Sequence, residues 1–164
     1  LMVRDPSYGF WPSAEAVKTT GPPASVNPTD DPDGTMHISF MREGQAHFFR
    51  ENKNAGLILV ITGLVRSNYE EPRSYIRLKG FLLSANAETL AHRVVYAGNM
   101  LSEEDLIDLP IEEITARLMN EGGYDEANVN IQPETEIPFM VVFDKLPDGI
   151  AEYRIDATGT QPAR

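Results

Sequence analysis

One stretch, residues 56–66 with the sequence GLILVITGLVR, constrains the fold more than any other part of this chain. Its apolar side chains occupy both sets of alternating positions of an extended chain: Leu57, Leu59, Ile61 and Val65 on one face, and Ile58, Val60 and Leu64 on the other. A strand with one solvent-facing side alternates apolar with polar residues, whereas a strand covered on both sides does not. The run is too short to cross a bilayer as a helix, which takes about 20 residues. We therefore predict a central strand of a β-sandwich, covered on both faces.

Further strand patterns lie on either side of this segment. The predicted strands are residues 36–41, 46–50, 56–66, 73–83, 89–96, 136–144 and 150–158. The first two flank a short Gly-containing turn and are expected to form a hairpin. The turn at residues 84–88 is expected to form a second hairpin between its neighbours. Short strands at this spacing predict a mostly β protein, an antiparallel immunoglobulin-like β-sandwich of about seven strands.

A helical pattern interrupts the strands at residues 102–121. Ser102 is a favourable N-cap and acidic residues follow it, as the helix dipole prefers. Pro110 ends this helix and begins a second one, because proline fits the first turn of a helix and not its interior. The second helix carries its apolar residues on one side: Ile111, Ile114 and Leu118. We expect a two-helix insert that lies on the sandwich and ends at Gly122-Gly123.

The first 34 residues differ in composition from the rest. They hold six of the twelve prolines, with Ser, Thr, Gly and Asp between them, and predict a linker or tail at 1–34 before a domain at 35–160. The chain opens at Leu1, so we expect a fragment of a longer protein. Neither a signal peptide nor a membrane-spanning segment is present, so this fragment itself is not expected to insert into a membrane.

The charge balance narrows the classes of partner. The chain has 25 acidic and 14 basic residues, a net charge of −11, which disfavours nucleic acid and anionic lipid as partners. Eleven acids and one base lie within residues 102–136, so most of this charge belongs to the insert and the loop after it. The absence of cysteine excludes disulfides and thiolate metal sites.

No pattern predicts catalysis or a bound cofactor. Nucleotide-binding, zinc-protease and serine-hydrolase motifs are missing from the sequence. His37 and His47 lie on the two arms of the predicted first hairpin and could face each other, but two imidazoles alone make a poor zinc site. The segment Asp31-x-Asp33-Gly34 resembles the start of a calcium loop without its bidentate Glu. We assign no catalytic, cofactor or metal residue.

Two surfaces remain as candidates for partner binding. The polar face of strand 73–83 carries the aromatic and basic types that are enriched at interfaces: Tyr75, Arg77, Lys79 and Phe81. The insert offers acidic residues that could speed association with a basic partner: Glu103, Glu104, Asp108 and Glu112. Alternatively, the insert or the N-terminal tail covers the strand face, and the acidic residues are simply solvated.

Several segments resemble the uncharacterised C-terminal domain of bacterial zinc-ribbon proteins with a single transmembrane helix. These segments are GLILVITGLV at 56–65, YIRLKG at 75–80, YAGNMLSEEDL at 96–106, NxxIxP at 128–133 and IPFMVVF at 137–143. In that family a Cys-rich ribbon, a linker and a membrane helix precede an immunoglobulin-like sandwich with no established activity. The resemblance implies a domain on the periplasmic or extracytoplasmic side of the inner membrane, in a membrane-anchored parent protein.

We therefore expect a non-enzymatic interaction module that meets a protein partner in the cell envelope, or a second copy of itself as a homodimer. The alternative is a small-molecule or cation-binding sensory domain, with the ligand held under the loop Tyr124–Pro133. This loop contains a cluster of side-chain oxygens: Asp125, Glu126, Asn128 and Asn130.

Overall fold

The computed structural model describes residues 31–163, which fold into two antiparallel sheets and two helices. The elements are β1 (Ile38–Phe40), β2 (Ala46–Asn52), β3 (Gly56–Ser67), β4 (Arg73–Leu83), β5 (Thr89–Tyr96), α1 (Glu103–Asp108), α2 (Ile111–Leu118), β6 (Glu136–Phe143) and β7 (Glu152–Pro162). A short 3-10 turn, Tyr124–Glu126, follows α2. The predicted seven-stranded antiparallel sandwich with a two-helix insert is confirmed.

Sheet A is built around β3, as the long apolar run predicts. β6 pairs along one edge of β3, while β1 and β2 both pair along the other edge. The predicted hairpin between the first two strands is therefore wrong, because β1 and β2 are two pieces of one interrupted strand. The N–H of Met41 still bonds to Leu64 O at 3.0 Å, and the chain then leaves the ladder through Gly44 at a φ of 87°. The glycine marks an excursion from the strand, which local sequence cannot distinguish from a hairpin turn.

Sheet B has β4 at its centre, with β5 on one side and β7 on the other. The predicted hairpin between β4 and β5 is confirmed, since Phe81 lies opposite His92 and Ser84 N–H bonds to Glu88 O at 2.9 Å. The register of β4 against β7 shifts between Ser74 and Arg77, where Tyr75 adopts a φ of 61°. This β-bulge turns the start of β4 away from the regular row of the strand.

The two sheets pack on each other through the face of β3 that carries Ile61. Ile61 lies opposite Val141 of β6, and a Cβ placed on Gly80 of β4 would lie 3.1 Å from Val141 Cγ1. The absence of a side chain at Gly80 lets β4 approach β6 closely. This interface is the interior of the sandwich.

The helices cover the opposite face of sheet A. Ile58 and Val60 point to that face and are fully buried. Val142, opposite Val60, lines a small cleft together with Ile114 and Leu118 of α2. The molecule thus has three layers (sheet B, sheet A and the helical insert), and this is why both faces of β3 are apolar.

Two buried asparagines hold the helices on the sandwich. Asn52, the last residue of β2, donates from Nδ2 to the carbonyl oxygens of Leu106 and Leu109 at 2.7 and 2.9 Å. Asn99, after β5, donates to Asn120 O at 2.8 Å and to Leu118 O at 3.4 Å. Helix C-termini leave carbonyl groups without partners within the helix, and these amides satisfy them.

Candidate functional site

The outer face of sheet B, which points away from sheet A, brings together residues from all three of its strands. On β4 the face carries Arg77, Lys79 and Phe81. The register places His92, Val94 and Tyr96 of β5 beside them on one side, and Arg154 and Asp156 of β7 on the other. The sequence analysis identified the β4 residues but not their neighbours, because cross-strand pairing joins positions far apart in the chain. The alternation of β7 was visible, but nothing local paired it with β4.

Phe81 lies between two cations on this face. Lys79 Nζ is 5.3 Å from the centre of the Phe81 ring, and the guanidinium carbon of Arg154 is 4.6 Å from it. Both distances fall within the range of cation–π attraction. Arg154 Nε also bonds to Asp156 Oδ2 at 3.2 Å. The Phe81 ring is half-buried, and both positive charges lie close to this one apolar group.

Arg77 extends the positive charge along the same face. Its Nε donates to Thr158 Oγ1 at 3.0 Å, and its Nη2 donates to Thr158 O at 3.2 Å. A Cβ on Gly159 would lie only 3.1 Å from Arg77 Nη2, so this glycine makes room for the guanidinium group. Arg77 is nevertheless exposed to solvent. Its position is therefore defined while the group stays accessible.

Tyr75 is separated from the other predicted members of this face. It lies in the β-bulge, is half-buried, and its N–H bonds to Asn128 O at 2.8 Å. The register shift between Ser74 and Arg77 places it outside the regular row formed by Arg77, Lys79 and Phe81. Its backbone thus holds the loop after α2 against the start of β4.

The four acids of the predicted acidic surface fall into two groups, one with ion pairs and one without. Glu103 pairs with Arg50 of β2, and Asp108 Oδ1 lies 2.9 Å from Lys53 Nζ. The hydrogen bond that Lys53 donates to Asp108 raises the pKa of Lys53. These two acids help to attach α1 to the turn after β2. Among residues 31–163 no ion pair is found for Glu104 or Glu112, which are exposed.

The helical insert does not cover the outer face of sheet B. Its helices lie over sheet A, and α2 meets sheet B at its edge strand, beside Arg93, Val94 and Val95 of β5. The alternative in which the insert hides the strand face is therefore wrong. The N-terminal tail, which was the other candidate cover, lies outside the described residues except for residues 31–34.

The loop between residues 124 and 133 continues sheet B. Arg73 and Ile131 exchange backbone hydrogen bonds of 3.0 and 2.7 Å, so the loop pairs with β4 beyond the end of β5. The cleft beside α2 has a volume of about 10 Å³, which is room for about one water molecule. Within residues 31–163, no group of three or more His, Asp or Glu side chains could hold a metal ion.

The histidines and the first aspartate serve the local structure. His37 and His47 do not face each other, because His37 lies just before β1, and β1 does not pair with β2. Their rings pack edge-on against Tyr69 and Tyr153 at 5.0 and 5.4 Å. Burial lowers the pKa of His47. Asp31 accepts hydrogen bonds from the Tyr69 hydroxyl and from Thr35 N–H, the latter at 3.1 Å. Burial and this bond to Asp31 raise the pKa of Tyr69.

The geometry defines a small antiparallel β-sandwich domain with a helical layer on one sheet and an open, basic and aromatic face on the other. Within this class the chain belongs to a family described as "Protein of unknown function (DUF3426)", whose model matches residues 41–157. No curated protein and no solved structure matches the chain. No helix among the described residues is long and apolar enough to cross a membrane. The zinc-ribbon parent protein stays a prediction.

Proposed function

We propose that this domain is a non-enzymatic protein-interaction module and that the outer face of sheet B is its docking surface. The observation that carries the proposal is the Phe81 ring, held between Lys79 and Arg154 on a sheet face that the insert leaves open. Aromatic and Arg side chains contribute most of the binding energy in many interfaces when they lie at the centre of a rigid patch. The outer face of sheet B is such a rigid patch, because β5 and β7 support β4 from both sides.

The proposal includes the setting of the module. Its parent is a membrane-anchored bacterial protein that holds this domain on the periplasmic or extracytoplasmic side of the inner membrane, where it meets a protein partner of the cell envelope. The support for this setting is the resemblance to the C-terminal domains of zinc-ribbon membrane proteins. The non-enzymatic part is supported by the groups that were candidates for chemistry: the Asp31 carboxylate is engaged by Tyr69 and Thr35, and His37 packs on a ring.

Affinity capture tests the proposal. The domain is immobilised, detergent-solubilised envelope extract from the source cells is passed over it, and retained proteins are identified by mass spectrometry. Phe81→Ser removes the centre of the proposed surface. Phe49→Ser is the matched control, because Phe49 on β2 is also a strand phenylalanine, 46% exposed, and lies on the other sheet.

We expect a protein that the wild-type domain and Phe49→Ser retain and that Phe81→Ser loses. If Phe81→Ser retains the same proteins as the wild type, the outer face of sheet B is not the docking surface. A domain with Glu104 and Glu112 changed to Lys then shows whether the acidic insert binds instead. If no protein is retained at all, the sensory alternative gains, and a thermal-shift screen with divalent cations and metabolites tests it.

A further inference from the structure

We propose that the outer face of sheet B recognises an acidic segment of its partner protein, with Arg77, Lys79 and Arg154 binding carboxylate groups around Phe81. This inference rests on the proposed function, because it names the chemistry of the partner at the same surface. It concerns the kind of segment bound and not the identity of the protein that carries it.

The charge of the face is opposite to that of the molecule. The chain as a whole carries −11, yet this face has a positive balance, with three cations against the two carboxylates Glu152 and Asp156. Stacked sheets lie about 10 Å apart, and the acidic helices lie beyond sheet A. They are therefore farther away than the Debye length of about 8 Å at physiological ionic strength. The acids of the insert do not cancel the local positive potential of the face.

The polar groups of the face are mainly hydrogen-bond donors. The two bonds from Arg77 to Thr158 use two of the five N–H donors of its guanidinium group. Lys79 carries three N–H donors, and Arg154 uses its Nε for Asp156. Carboxylates accept such hydrogen bonds strongly because both partners are charged. Phe81 adds an apolar centre, so a fitting segment carries an apolar residue between its acids.

The number of cations favours a protein segment over a membrane or a nucleic acid. Sites for anionic lipids use clusters of about four to eight Lys or Arg residues. Nucleic-acid sites commonly make about six to ten phosphate contacts. Three cations with two carboxylates beside them fall below both ranges but match two or three carboxylates on one short segment.

Fluorescence polarisation with a defined probe tests the inference. The probe is a labelled peptide of alternating Glu and Phe, and the matched peptide has Lys in place of Glu. We expect saturable binding of the Glu peptide by the full chain, at least tenfold weaker in 300 mM than in 50 mM NaCl, and at least tenfold weaker for Lys79→Glu and for Arg154→Glu. Arg42→Glu changes the charge equally at an exposed position between β1 and β2 and should bind as the wild type does.

Failure of the inference and failure of the proposed function give different results. If capture from envelope extract depends on Phe81 but is insensitive to Lys79→Glu and Arg154→Glu, the docking surface stands and the acidic segment is wrong. The inference of an acidic segment is also wrong if only the Lys peptide binds, or if neither peptide binds saturably. Binding of phosphatidylglycerol vesicles in place of the peptide would assign the face to lipid. The chain could also associate with itself, and both Lys79→Glu and Glu104→Lys could abolish that association. This result would show that the face binds a second copy of the chain.

Discussion

The side-chain amide of Asn128 pairs with the backbone of Ile76 in both directions. Its Oδ1 accepts from Ile76 N–H at 2.9 Å, and its Nδ2 donates to Ile76 O at 3.1 Å. Asn128 is fully buried, and its Nδ2 also donates to Glu121 O at 3.3 Å. The amide therefore acts as a neighbouring strand would, at the point where β5 has ended at Tyr96. It fastens the loop after α2 to the centre of sheet B.

Asn128→Ala should lower the free energy of unfolding by about 2 kcal/mol. A buried backbone group left without its partner costs about 1–3 kcal/mol, and this change leaves the Ile76 N–H without its partner, whereas Ile76 O keeps its hydrogen bond from Ala97 N–H at 3.0 Å. Asn86→Ala, in the exposed turn after β4, should stay within about 0.5 kcal/mol of the wild type. Urea unfolding of the two variants measures the difference, and equal effects would contradict the structural role of Asn128.

Gly123→Ala should destabilise the domain by about 2 kcal/mol more than Gly56→Ala. Both glycines adopt a φ of 79°, so an alanine is strained at either position. A Cβ on Gly123 would lie 2.8 Å from Asn128 N, whereas a Cβ on Gly56 would meet nothing within 4 Å. Forcing extra atoms into a packed site costs about 1–3 kcal/mol. Thermal and urea denaturation test the pair, and similar losses would refute the close packing at Gly123.

Ile114→Ala should lower the free energy of unfolding by about 3 kcal/mol. Ile114 is fully buried between α2 and β6, and truncation of a buried Ile costs about 2–5 kcal/mol. Glu112→Ala on the exposed side of the same helix serves as the control and should change stability by less than about 0.5 kcal/mol. A loss below about 1 kcal/mol for Ile114→Ala would show that the helical layer is not packed on sheet A.

Stability should fall as the pH rises above about 10, in a way that depends on Tyr69. The pKa of Tyr69 is raised in the folded state, first by burial and then by its hydrogen bond to Asp31. Between the two pKa values of Tyr69, the folded state therefore keeps the phenol proton and the unfolded state loses it. The contribution of Tyr69 to stability is full below its pKa in the unfolded state and is lost as the pH rises toward its pKa in the folded state. Urea unfolding between pH 8 and 11 should show a steeper decline for the wild type than for Tyr69→Phe. Parallel declines would exclude this linkage.

Local sequence predicted the elements that depend on short-range pattern. The bounds of β4 and β5 agree with the structure, and β3 extends one residue beyond its predicted end at Arg66. Ser102 caps α1 as expected, since its Oγ accepts from Asp105 N–H at 3.0 Å. Alternation, capping and turn chemistry act over a few residues, so they can be recognised without knowledge of the fold.

The candidate site was predictable only in part. Alternation along one strand placed Arg77, Lys79 and Phe81 on one face, and the structure brings these three together. The alternation of residues along the strand could not reveal the bulge that displaces Tyr75. Nor could it show that Glu103 pairs with a base more than 50 residues away in the chain.

The sequence by itself determined a β-sandwich with a doubly covered central strand and a helical insert, because these follow from periodicities along the chain. Tertiary structure alone decided that β1 and β2 share one edge of β3, that the insert covers sheet A, and that Arg154 lies over Phe81. Each of these depends on which strands pair and which faces pack. Such choices are made by the combined burial of residues far apart in sequence, and no local pattern records them.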